Sequence, residues 1–283
     1  TFNVAVGDRA GAGITTGVQN TFVGALAGDA TTDADFNVGL GVNALGTNTV
    51  GSSSVALGYN ALATQNPATA TTMLNTAVGH SAGSAVTTGT FNTLMGGLTG
   101  DALTTGSDNV AMGYAALTSD TLGKRSVAIG TQALNTQNFT TATNVYNVGV
   151  GHNAGLSITT GTSNTIIGGL AGDALTTSEK NVVVGQAALT TETAGRYAVA
   201  VGYAALNSQN NATTTNTYNV AVGFAAGENV TTGVQNTLIG GLAGDVLTDA
   251  DENVAVGVSA LGTDTLGSRS VAVGVGALFQ QNF

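Results

Sequence analysis

Asn3-Val4-Ala5-Val6-Gly7 opens a pattern that returns at Asn20, Asn37, Ser54, Asn75, Asn92, Asn109, Ser126, Asn147, Asn164, Asn181, Ala198, Asn219, Asn236, Asn253 and Ser270. These starts are separated by 17, 17, 17 and 21 residues, and the cycle repeats through the 283-residue chain. Sixteen short units therefore group into modules 3–74, 75–146, 147–218 and 219–283, the last of them cut short. Self-similarity at a fixed short period is the mark of stacked repeats, so the chain reads as one continuous repeat array.

Counting from the Asn as position 1, position 2 is Val or Thr in every unit, position 4 is Val, Leu, Ile or Met, and position 5 is Gly. Branched side chains at alternate positions suit a pleated strand. The alternation runs large-small rather than apolar-polar, because position 3 is mostly Ala or Gly, enlarged to Phe22, Leu94, Ile166 and Leu238 in the second unit of each module. Both strand faces are therefore expected to be buried. Position 9 reads Gly, Gly, Leu, Leu through each module, and position 13 is Thr in the 17-residue units and Asn in the 21-residue units.

Such columns predict an all-β parallel solenoid, a β-roll of sixteen turns, in which Asn3, Asn20 and Asn37, Gly7, Gly24, Gly41 and Gly58, and Thr15, Thr32 and Thr49 form ladders. Neighbouring turns would lie about 4.8 Å apart, giving a rod of about 75 to 80 Å. A helical repeat is the competing reading for Ala-rich stretches such as 113–117. It fails because each interior Gly costs a helix about 1 kcal/mol and no apolar stripe of period 3.6 crosses the units.

Composition narrows the function classes. Forty-two glycines and 8% charged residues stand against averages of about 7% glycine and about 25% charged. Cysteine is absent, excluding a disulfide scaffold, and 42% of residues are apolar, excluding a charged disordered chain. Six Lys and Arg against sixteen Asp and Glu give a net charge of -10, which opposes nucleic-acid phosphates and anionic membranes. No apolar run reaches the roughly 20 residues of a membrane span, so no membrane insertion is expected.

The unit Asn75 to Phe91, with Asn75-Thr76-Ala77-Val78-Gly79, Ala82 and Thr87-Thr88-Gly89, resembles the repeats of YadA-like trimeric autotransporter heads and of related phage and bacterial tail-fibre proteins. The likeness runs along nearly the whole chain, although the 17-residue turn is longer than an adhesin-head turn and the regular 21-residue unit belongs to neither. The resemblance implies a left-handed roll, three parallel chains to a fibre, and a role in attachment outside the cell or on a virion. Both ends stop mid-repeat, Thr1-Phe2 matching the end of a fourth unit, so the chain is expected to be a segment of a longer fibre. A narrow roll with few interior side chains also points to self-association as the cover for its outer face.

Candidate sites are few. Catalysis needs unlike groups that converge, and this chain repeats like ones, so no enzyme is expected and no cofactor. His80 and His152 share a column with Asp8 and Phe224, read as surface variation or as a ring of histidines holding a metal or anion. Asp29, Asp101, Asp173 and Asp245 recur in second units and either cap a turn through amides two residues on or hold calcium. The rhythm of calcium-binding β-rolls is lacking. The loops of the longer units, carrying Asn66, Phe139, Tyr146 and Tyr218, are candidate contacts for a host-surface glycan or protein receptor. An alternative function is a monomeric solenoid that binds ice or another regular surface through its Thr ladder.

Overall fold

The computed structural model describes residues 2–283 and leaves Thr1, half of the terminal Thr-Phe match, outside them. It is all-β, with no helix among the described residues. Two compact units divide at Val145 and Tyr146, one residue before the expected module boundary. Each unit stacks eight three-residue strands in sequence order, from Val4–Val6 to Val127–Ile129 in the first and from Val148–Val150 to Val271–Val273 in the second. The pairing is parallel and unslipped: Val4 faces Thr21, Ala5 faces Phe22 and Val6 faces Val23. Across the longer spacing Val55 still faces Thr76. A 17- or 21-residue step is therefore one turn of a β-solenoid, as the columns predict.

Corners come from left-handed backbone. Positions 7, 9 and 17 hold φ near +55° in turn after turn, as at Asn43 (60°), Leu45 (55°) and Ser53 (64°). Position 5 is more extreme. Gly113 sits at φ +128°, and a Cβ there would stand 2.6 Å from the carbonyl carbon of Gly130 one turn on. Only a residue without Cβ lets the two corners stack at sheet spacing. The same contact links Gly7 to Gly24, Gly24 to Gly41 and Gly41 to Gly58, so the predicted Gly ladder is formed.

The alternation at position 9 has its reason in the core. Where position 9 is Gly, the space is filled from positions 3 and 12: a Cβ on Gly28 would meet the Phe22 ring at 2.5 Å. Where position 9 is Leu, position 12 is polar, giving the buried pairs Asn48 and Gln65, Asp120 and Gln137, Glu192 and Gln209. Volume is traded even within a column, since the module with the larger Phe22 carries the smaller Thr31 where the others carry Leu103, Leu175 and Leu247.

In every three-residue strand after Val4–Val6 the middle residue is buried and its neighbours are part-buried or exposed. In Val38–Leu40 the centre is buried while Val38 and Leu40 are 36% and 45% exposed. The expectation of two buried faces thus fails for the single chain, because nothing in a one-layer roll lies over the outer face.

Gly113→Ala should lower stability by about 3 kcal/mol, through left-handed strain and the clash with Gly130 together. Gly169→Ala should be nearly neutral, because a Cβ there meets nothing within 4 Å. Urea titration of the two variants checks the contrast, and equal losses would contradict it.

Candidate functional site

Two ladders, the outer strand face, the recurring aspartates, the loops and a buried polar network carry the chemistry. The first structural element is the Asn ladder. Asn92 Nδ2 donates across the turn to the Gly106 carbonyl at 2.9 Å, while its Oδ1 accepts from the Asn109 amide of the next turn at 3.1 Å. Asn3, Asn20 and Asn37 repeat the arrangement, with Nδ2 donating to Gly17, Ala34 and Gly51 carbonyls at 2.8, 2.7 and 2.9 Å. The Thr ladder also works between turns. Thr15 Oγ1 donates to the Thr32 carbonyl at 3.1 Å, Thr32 Oγ1 to the Thr49 carbonyl at 3.2 Å, and Thr49 Oγ1 to Asn66 Oδ1 at 2.7 Å.

The outer strand face of each unit is an apolar stripe with aromatic borders. Tyr59, Tyr114, Tyr203 and Phe224 flank it at position 6, and Phe2, Phe36, Phe91, Tyr146 and Tyr218 at the last position of a repeat, all at least half exposed. Some of these rings stack on the neighbouring turn: Tyr59 on His80 at 5.2 Å between centroids, Tyr203 on Phe224 at 5.5 Å and Tyr197 on Tyr218 at 5.3 Å. His80 thus serves as one rung of an exposed stack, and His152 is exposed in the same column. Ion pairs border the stripe too, with Arg125 3.9 Å from Asp108 and Arg269 2.8 Å from Glu252. Exposed pairs of this kind contribute little to stability.

Each of the four recurring aspartates occupies a turn of its own. Asp101 Oδ1 accepts from Thr118 Oγ1 of the next turn at 2.5 Å. Asp173 buries its Oδ1 without a hydrogen-bond partner. Burial raises the pKa of both Asp173 and Asp245, and Glu228 adds to the rise at Asp245. Among the described residues no group of three or more His, Asp or Glu is arranged to hold a metal ion, and no pocket opens.

The loops are exposed at 68–70 and at the matching 140–142 and 212–214. Each closes with a two-residue parallel pair, Gly51–Ser52 with Thr71–Thr72 and its counterparts. Tyr146 and Tyr218 are 51% exposed. Asn66 is exposed but engaged by Thr49, and Phe139 departs from the expectation: it is buried, so its ring is not offered to a receptor.

Sequence reasoning missed the position-12 network. Asp120, Glu192 and Asp264 are fully buried with no cation beside them in hydrogen-bond contact. Amide donors take the place of a counter-ion. Glu192 Oε1 accepts from the backbone amides of Thr193, Ala194, Gly195 and Asn211 at 2.7 to 3.0 Å, and its Oε2 from Gln209 Nε2 and Asn211 Nδ2 at 2.8 Å. Asp120 Oδ2 accepts from Gln137 Nε2 at 2.6 Å. The available signal was that an acid or Asn at position 12 precedes Gln one turn later in all four modules.

None of the protein-family models or curated proteins compared with this chain matches it. No helix among the described residues is long and apolar enough to cross a membrane.

Burial raises the Asp120 pKa above 3.8, outweighing the hydrogen bonds from Gln137, Phe139, Gly123 and Thr121. The folded chain then binds a proton at a pH where the unfolded chain does not. The stability contribution of Asp120 should rise as pH falls from its raised pKa toward 3.8, and above that window the charged form carries the full burial penalty. Urea midpoints recorded against pH should show Asp120→Asn losing this acid-side gain relative to the unmodified chain. Parallel profiles for the two would overturn the assignment.

Proposed function

We propose that the chain is a segment of an extracellular structural and adhesive fibre, a shaft or head assembled as a parallel homotrimer, with no catalytic role and no cofactor. The observation that carries this reading is the outer sheet face, apolar and open in each unit, with aromatic side chains along both borders. Parallel sheets are ordinarily covered on both faces, and contiguous exposed apolar surface marks a site of association. A second copy running in the same direction presents that face with the same period, so contacts repeat at every turn, and a closed ring leaves no unmatched face. Resemblance to YadA-like and tail-fibre repeats supports three as the number of copies.

The periodic loops suit weak multivalent contacts with a glycan or protein on a host surface. A net charge of -10 disfavours nucleic acid and anionic membranes as partners. Engagement of the Thr hydroxyls with neighbouring turns favours the fibre over recognition of ice by a monomer.

Light scattering on the purified chain should give about three times its 27.6 kDa mass. The double substitution Val110→Glu and Val127→Glu, on the open face, should reduce the mass to that of one chain without loss of β-structure. An unmodified chain that stays monomeric at every concentration would contradict the reading.

A further inference from the structure

Each of the three complete modules inserts four residues once, always in the turn after a position-12 acid or Asn. We propose that the buried carboxylate of the third turn is the positioning residue that latches the loop of the fourth, and that the first loop alone is left unlatched.

The contacts recur in three modules. Asp120 Oδ1 accepts from the Phe139 amide at 3.1 Å, Glu192 Oε1 from the Asn211 amide at 3.0 Å, and Asp264 Oδ1 from the Phe283 amide at 3.3 Å. In each case the donor is the first residue after the position-13 Asn, and at Phe139 and Asn211 that is where the chain leaves the 17-residue path. The other carboxylate oxygen is held by the Gln of that same fourth turn, at 2.6, 2.8 and 2.8 Å. The acid thus grips both sides of the point of departure. Bonds to an ionised acceptor are roughly twice as strong as neutral ones, and here they are shielded from water.

The first module breaks the pattern at both partners together. Its acid is replaced by neutral Asn48, and the residue in place of the amide donor is Pro67, which has no N–H. Asn48 accepts from the Gly51 amide of its own turn at 3.1 Å, as Asp120, Glu192 and Asp264 do from Gly123, Gly195 and Gly267, but it turns its Nδ2 to the Gly51 carbonyl at 2.7 Å rather than holding the loop. A carboxylate facing Pro67 would be a buried charge short of a donor, and the matched pair Asn and Pro avoids that cost. Loop 67–73 is then tied by Asn66 and its short strand pair, without the carboxylate. Capping of the local turn is a narrower role for the acid, and it leaves all three complete loops equivalent.

Amide hydrogen exchange followed by mass spectrometry on the full chain separates the two. The unmodified protein should exchange residues 68–73 about tenfold faster than 140–145 or 212–217, a ratio in keeping with one charge-assisted bond. Asp120→Asn should bring 140–145 to the first-loop rate and leave 212–217 unchanged. Asn48→Asp combined with Pro67→Phe should slow 68–73 about tenfold. Equal rates in the three loops of the unmodified chain, or no slowing in the double variant, would overturn the latch, and the first comparison needs no variant to fold.

Discussion

Closure of the first three turns of each module depends on one carboxamide. The Asn at position 1 donates to a carbonyl 14 residues on, across the cross-section of the roll, and accepts the amide of the residue 17 on, in the turn above. One side chain thereby fixes both the circumference of a turn and its registry with the next. A 17-residue roll has too little interior for a large apolar core, so this internal satisfaction of backbone groups carries weight that packing supplies in thicker folds. The Gly corners serve the same end, because a Cβ at position 5 would hold neighbouring turns apart.

The four-turn module follows from what the ladder leaves over. Fourth turns carry Ser54, Ser126, Ala198 or Ser270 in place of Asn, and the position-12 Gln reaches into the vacated region. Gln137 Nε2 donates to Ser126 Oγ at 3.0 Å, and Gln209 Oε1 accepts from Asn219 Nδ2 at 2.7 Å. With the carbonyl-bridging Asn gone, the chain can swing out as a loop. Scaffold and loop are thus coupled: the polar half of the core lies where the loop departs, and the apolar half, built on Phe22, Leu94, Ile166 and Leu238, lies under the uninterrupted turns.

Much of the fold could be read from columns of like residues. Gly7, Gly24, Gly41 and Gly58 repeat because the clash they avoid repeats, and Asn3, Asn20 and Asn37 because the bond they make repeats. Position 12 was illegible by the same method, since its residues change from Ile14 to Thr31 to Asn48 to Gln65 and read down a single step as noise. Buried Asp120 and Glu192 also look like surface acids until their amide donors are located. Phe139 shows a related limit, for an aromatic in a loop looked available while its backbone was anchoring the loop to Asp120. The outer face was legible only as a demand: large-small alternation tells which residues want burial, without telling whether the same chain covers them.

The central claim is that residues one unit apart in sequence lie one sheet spacing apart in space. Spin labels at Thr16→Cys and Thr105→Cys, exposed positions five turns apart within the first unit, test it most directly by pulsed electron resonance in a spin-diluted sample. Five steps of about 4.8 Å predict a narrow distribution centred near 24 Å. A broad distribution, or a distance that does not grow in equal steps as the second label moves turn by turn, would contradict the account.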